Sequence, residues 1–158
     1  MHAIANEKYA SAKKSLRMCE LLLKDKRTKS ITTDDRNKIS ALTMNNTGCY
    51  YKKVGNPNVA LRYMLAALRS DVANKAPLSH IASTKLNICA ILSILGKHLT
   101  AIQFAREAVA HLEHTLQELS DPERVAHYTN IDEKSLLSTV TIAYFNLAAE
   151  YEHVKNFQ

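Results

Sequence analysis

His111, Glu113 and His114 come nearest in this sequence to a metal site. Two imidazoles three residues apart on a helix could hold an ion edge-on. HLEH is not the HExxH pattern, however, and no third ligand follows in sequence. These read as surface histidines. The paired carboxylates Asp34-Asp35 and Asp132-Glu133 each open a predicted helix. There they complement the helix dipole rather than form an acid–base couple. Cys19, Cys49 and Cys89 are odd in number, far apart and without a CxxC pair, which excludes a zinc or thiol-redox framework. They read as reduced, mostly buried small apolar residues. There is no GxGxxG, P-loop or GxSxG, and no nucleophile stands beside a base. The expectation is a non-enzymatic protein with no cofactor and no metal.

The elements that must position any site are helices. The chain has 158 residues, 46% of them hydrophobic, with only 3 Gly, 3 Pro and no Trp. Few breakers among many Ala, Leu and Lys predict an all-α protein of one domain, residues 1–158. The opening MHAIANEKYASAKK is too polar for a signal peptide, and no apolar run approaches the ~20 residues that span a bilayer. A cytoplasmic protein without membrane contact is the expectation, with cytoskeletal or ciliary association left open. The net charge of +6 is uneven: residues 1–38 hold ten Lys/Arg against five Asp/Glu, the remainder eleven against ten.

Apolar spacings of three and four predict the helices. The first covers 3–25, with the stripe Tyr9, Ala12, Leu16, Cys19, Leu22 and Leu23. Thr32 to Asp35 supplies caps for a second, 34–53. Gly55 stops it, and Asn56-Pro57 starts a third, which ends near Ala73. Pro77 opens a fourth, to Leu95, with Gly96 as its C-terminal residue. A fifth runs from Leu99 to Leu119. Ser120-Asp121-Pro122 is a further stop, Glu123 to Tyr128 a short helix or turn, and Asp132 starts a last helix to about Val154.

Two of these pairs repeat. At an offset of 41 residues Gly48 matches Cys89, Tyr51 matches Leu92, Gly55 matches Gly96, Ala60 matches Ala101 and Ala67 matches Ala108. These are the residue types that close helix packing demands: small where backbones approach, large where space is filled. The pattern resembles the tetratricopeptide repeat, a helix–turn–helix unit of 34 residues. The longer period here is similar to that of kinesin light chains and spindle-orientation adaptors. The two complete copies are 34–75 and 77–120. Residues 1–30 match the second helix of an earlier copy through Tyr9, Ala12, Leu16 and Cys19. Residues 131–158 match the first helix of a later one through Leu147, Ala148, Tyr151 and Phe157. The frequent Trp and Pro of the family are missing.

The resemblance implies a right-handed superhelix of six to seven helices whose first helices line a concave groove. It also implies a scaffold or adaptor role, binding an extended peptide or a partner helix without catalysis. The groove residues it assigns are Asn45, Asn46, Cys49, Lys52 and Lys53 in one copy, with Leu42. In the next they are Leu86, Asn87 and Ala90, and in the last Phe145, Asn146 and Ala149, with Ile142. Asn46, Asn87 and Asn146 occupy equivalent places, and amides that both donate and accept suit the backbone of an extended peptide. Lys52 and Lys53 either draw an acidic peptide or form a solvated helix end. The basic clamp of chaperone-binding relatives is missing, because Ile142 and Asn146 stand where its cations belong. The alternative is a structural segment of a large assembly, packed through helix faces. RNA binding through the basic first helix ranks below both, since Tyr9 is the one aromatic there. The half-copies at each end leave three readings: a longer array, association with another molecule (including head-to-tail self-association through the terminal helices), or an irregular self-capped bundle.

Overall fold

The computed structural model describes residues 2–25, 31–120 and 132–155. Among these residues there are six helices: α1 (His2–Lys24), α2 (Thr33–Lys53), α3 (Pro57–Ala73), α4 (Leu78–Ile94), α5 (His98–Ser120) and α6 (Glu133–Lys155). The expected boundaries hold to within one or two residues, and no strand occurs among the described residues. The expected element at Glu123–Tyr128, and Phe157, lie outside the described residues.

The local reasons are visible at the ends. Thr32 caps α2, its hydroxyl oxygen accepting from Asp35 N–H at 3.0 Å while the hydroxyl donates to the Asp35 carboxylate at 2.7 Å. Gly55 and Gly96 both take left-handed backbone, at φ 79° and 68°. Each closes the same pair of bonds. Asn56 N–H donates to Tyr51 O at 2.9 Å and Gly55 N–H to Lys52 O at 3.3 Å. Forty-one residues later Lys97 N–H donates to Leu92 O and Gly96 N–H to Ser93 O, both at 2.9 Å. The two turns are one motif used twice.

The chain divides into two compact units, Met1–Lys75 and Ala76–Gln158. The division falls at the junction between the two complete copies. In the N-terminal unit α2 pairs with α3, and α1 lies on α2. Gly48, Ala60, Met64 and Ala67 are buried here. A methyl group on Gly48 would come within 2.8 Å of Met64 Cγ, so the small residue is what lets the helices approach. In the C-terminal unit α4 pairs with α5, and α6 packs on both. Ala82, Leu86, Ala108, Leu112, Leu136 and Ala143 form its core, with Val109, Leu116, Leu119 and Val140 against it. Ala60, Ala67, Ala101 and Ala108, matched at the offset of 41, are all 0% exposed.

Two expectations about burial change. The α1 stripe is largely uncovered: Tyr9, Ala12, Cys19 and Leu22 are exposed, while Leu16 and Leu23 are half-buried. Among the described residues α1 lies chiefly on α2, with Glu20 reaching Tyr63 of α3, and this leaves part of its apolar face uncovered. Nor are the cysteines mostly buried. Cys19 is exposed, Cys49 intermediate and Cys89 buried.

Candidate functional site

A cleft of the C-terminal unit lies between α4 and α6, over α5. Its volume is about 360 Å³. Ser79, His80 and Ser83 line it from α4, Ser135, Leu136 and Thr139 from α6, and Leu112 of α5 lies at its base. Asp132, just before α6, closes one end and accepts from Lys134 N–H at 3.2 Å. The hydroxyls are spaced by one helical turn on each wall. Ser83 donates to Ser79 O at 3.0 Å and Thr139 to Ser135 O at 2.9 Å. Their donors are spent on their own helices, so their oxygens accept. Helical spacing carries these two helix faces onward. On α4, Asn87, Ala90 and Ile94 follow Ser83; on α6, Ile142, Asn146 and Ala149 follow Thr139.

The amide residues assigned to this region therefore share helix faces with the cleft. Asn87, Ala90, Asn146 and Ala149 are half-buried, and Asn87 already has a bonding partner. Phe145 and Ile142 are exposed, Phe145 at 72%. Leu86 is not available to a ligand: at 6% exposure it belongs to the core with Ala82 and Leu112. Its neighbour Asn87 lies about 100° further round the helix and is half-buried.

In the N-terminal unit Asn46 and Lys53 are exposed, and Asn45, Cys49 and Lys52 are half-buried on α2. The clefts of this unit lie elsewhere. One, of about 240 Å³, lies between α1 and α2 and is lined by Lys13, Arg17, Glu20 and Lys24 with Tyr50, Tyr51 and Tyr63. Another, of about 430 Å³, involves Glu20, Leu23, Arg36, Ser40, Met44 and Tyr63. None of the five expected residues lines either. The tyrosines form a run: Tyr9 meets Tyr50 edge-on at 6.4 Å, Tyr50 meets Tyr51 at 5.2 Å, and Tyr51 stacks on Tyr63 at 5.6 Å. Burial, with the Glu20 carboxylate behind it, raises the Tyr63 pKa. The sequence shows Tyr9 beside the basic α1 residues but not the three tyrosines that the fold adds from α2 and α3.

Three charged groups hold the C-terminal unit together. Glu150, 3% exposed on α6, bonds His98 Nδ1 at the start of α5 at 2.8 Å, and His98 stacks on His153 at 4.6 Å. Burial, reinforced by Glu150, pushes the Cys89 thiol up to about 11. Cys89 is thus a packed thiol, not a nucleophile. Lys85, buried on α4, pairs with Glu107 of α5 at 2.6 Å. His111 proves less superficial than its neighbour His114: its Nδ1 is buried without a hydrogen-bond partner. Burial, then the Lys85 cation, lowers its pKa. Glu113 accepts from the Tyr144 hydroxyl on α6. Among the described residues no helix is long and apolar enough to cross a membrane.

No protein family, curated protein or solved structure matches the chain. Fold and cleft together define an all-α protein of packed helices, with a furrow between α4 and α6.

Proposed function

We propose that this chain is a helical-repeat interaction module of tetratricopeptide type, and that the α4–α6 furrow binds a polypeptide in extended form. One observation carries the reading: two facing helices line a cleft of about 360 Å³ with hydroxyls one turn apart, Ser79 and Ser83 on α4 and Ser135 and Thr139 on α6, and Asn87 and Asn146 lie further along the same helix faces. An extended peptide offers N–H and C=O groups at every residue, and hydroxyl oxygens and amides can satisfy both kinds. Ile142, Phe145 and Ile94 supply the apolar contacts beside them; all three are exposed. The hydroxyls and amides are neutral, and the Asp132 carboxylate at one end of the cleft is the charged group of its lining. No reaction is implied.

The test is selection of peptides from a random displayed library on the intact protein, followed by fluorescence anisotropy of the enriched peptides. Asn87→Ala and Asn146→Ala should each weaken binding about 3- to 10-fold, the loss of a single net hydrogen bond. Asn46→Ala, in the other unit, measures whether α2 contributes. An enriched peptide whose affinity ignores both Asn87 and Asn146 refutes the furrow. A structural role in an assembly is the second reading, favoured by the uncovered apolar faces of α1 and α6.

A further inference from the structure

In the N-terminal unit the fold sets a row of cations beside a row of rings. Lys13, Arg17, Glu20 and Lys24 follow one another at steps of four, three and four, so they share one face of α1. All four line the cleft of about 240 Å³ against α2. Lys13, Arg17 and Lys24 are exposed, and among the described residues none of the three makes an ion pair. Glu20 is half-buried and bonded to the Tyr63 hydroxyl. The lining therefore holds three cations against one carboxylate, and that carboxylate is already engaged. The opposite wall is aromatic. Tyr50 and Tyr51 of α2 and Tyr63 of α3 line it, each half-buried. Their mutual contacts, edge-on at 5.2 Å and stacked at 5.6 Å, hold the rings in place before any ligand arrives. Tyr9 joins the run through Tyr50. The run thus meets α1 at both ends, at Tyr9 itself and at Glu20, roughly 16 Å further along the helix. The second cleft shares Glu20, Lys24 and Tyr63 and continues to Arg36, whose guanidinium is held by Leu23 O at 2.6 Å and Asp25 O at 3.2 Å.

We propose that this cleft binds single-stranded nucleic acid, with phosphates on the α1 cations and bases against the tyrosines. Cations alone would suit any polyanion. What selects a nucleic acid is the row of rings beside them, because a single strand carries charge along its backbone and a flat π-face on every base. An acidic polypeptide brings the charge without a ring at each residue. A duplex keeps its base faces inside its own stack. Stacking accepts every base, so the cleft should show little sequence preference. The unit around it holds fifteen Lys/Arg against six Asp/Glu, a net charge of +9, which favours encounter with a polyanion at long range. The cleft lies in the N-terminal unit and is independent of the furrow between α4 and α6.

The test is fluorescence anisotropy of the intact protein with a labelled RNA strand of about ten nucleotides and mixed sequence. Three probes accompany it: an abasic strand with the same phosphates, the duplex of the same sequence, and polyglutamate. The RNA should bind, and the logarithm of its affinity should fall against the logarithm of salt with a slope of about −2, the value for three phosphates on a single strand. Arg17→Gln and Lys24→Gln should each weaken the RNA and flatten that slope by about 0.7. Both residues are exposed, so the melting temperature should match the parent. The abasic strand should bind at least about 10-fold more weakly than the RNA, a control that leaves the protein untouched. Tyr50→Leu keeps the apolar bulk and removes the ring. It should weaken the RNA about 5-fold or more and leave the abasic strand's affinity unchanged. Abasic strand, duplex or polyglutamate binding as tightly as the RNA would reduce the cleft to a surface for any polyanion and overturn the proposal. So would RNA binding that ignores both Arg17→Gln and Lys24→Gln, or no binding up to about 1 mM protein at low salt.

Discussion

His111 shows how much a residue's role depends on what the fold puts around it. In sequence it belongs to a triplet that suggests a surface or a metal edge. In the fold its Nδ1 is buried against the Lys85 cation, with Glu107 pulling the other way and His114 adding to the cation. The balance holds its pKa below the ordinary 6.5. The unfolded chain therefore takes up a proton near 6.5 that the folded chain refuses until the pH is lower. Stability from this group is complete above that pH and declines as the pH falls toward the folded value. Urea midpoints measured from about pH 8 to about pH 5 should fall on the acid side in the parent. In His111→Gln the fall should be shallower, and the difference between the two curves isolates this ring. Parallel curves would refute the argument. Gly48 makes the same point sterically. Its importance comes not from its own conformation but from Met64, fully buried and 2.8 Å from where a methyl would stand.

At the scale of elements, the turns after α2 and α4 isolate one backbone effect. A methyl on Gly96 would meet nothing within 4 Å, so its φ of 68° is the whole reason for the glycine. Lys75, after α3, takes φ 52° with a side chain present. Gly96→Ala should therefore cost about 1 kcal/mol, and Lys75→Gly should gain about 0.5 kcal/mol, both read from urea unfolding. Equal and opposite residue types at like conformations make the pair its own control; a loss at both positions would refute it. These turns were legible in the sequence because Gly-Asn-Pro and an isolated Gly have few other uses between two helical stripes. The helix pairing was legible for a similar reason, since Ala60, Ala67, Ala101 and Ala108 repeat their spacing. What could not be read was the covering of a face. Tyr9, Ala12, Leu16 and Cys19 announce that α1 has an apolar side, but nothing local says whether a neighbour reaches it. The furrow was hidden as well. Ser79, Ser83, Ser135 and Thr139 are ordinary helix residues until α4 and α6 stand face to face. Glu150 and His98, 52 residues apart, offered no signal at all.

The whole molecule is uneven in both core and charge. Among the described residues the N-terminal unit buries four apolar side chains, Ala41, Ala60, Met64 and Ala67, three of them alanines. The C-terminal unit buries fourteen, including Ile81, Ile88, Ile91 and Leu112. Apolar burial contributes about 25 cal/mol per Å², so the first unit has much less to set against its chain entropy. It also carries the net charge of +9, whose self-repulsion opposes compaction. Local opening should follow that order. Amide hydrogen exchange, followed by mass spectrometry, should be faster in α2 and α3 than in α4 and α5. Raising the salt from about 0.01 M to about 0.1 M shortens the screening length from about 30 Å to about 10 Å. That change should slow exchange in α2 and α3 more than in α4 and α5, because the excess of like charge lies in the first unit. Equal protection of the two units, or a salt effect confined to the second, would mean that the small core is reinforced by something other than the burial and charge described.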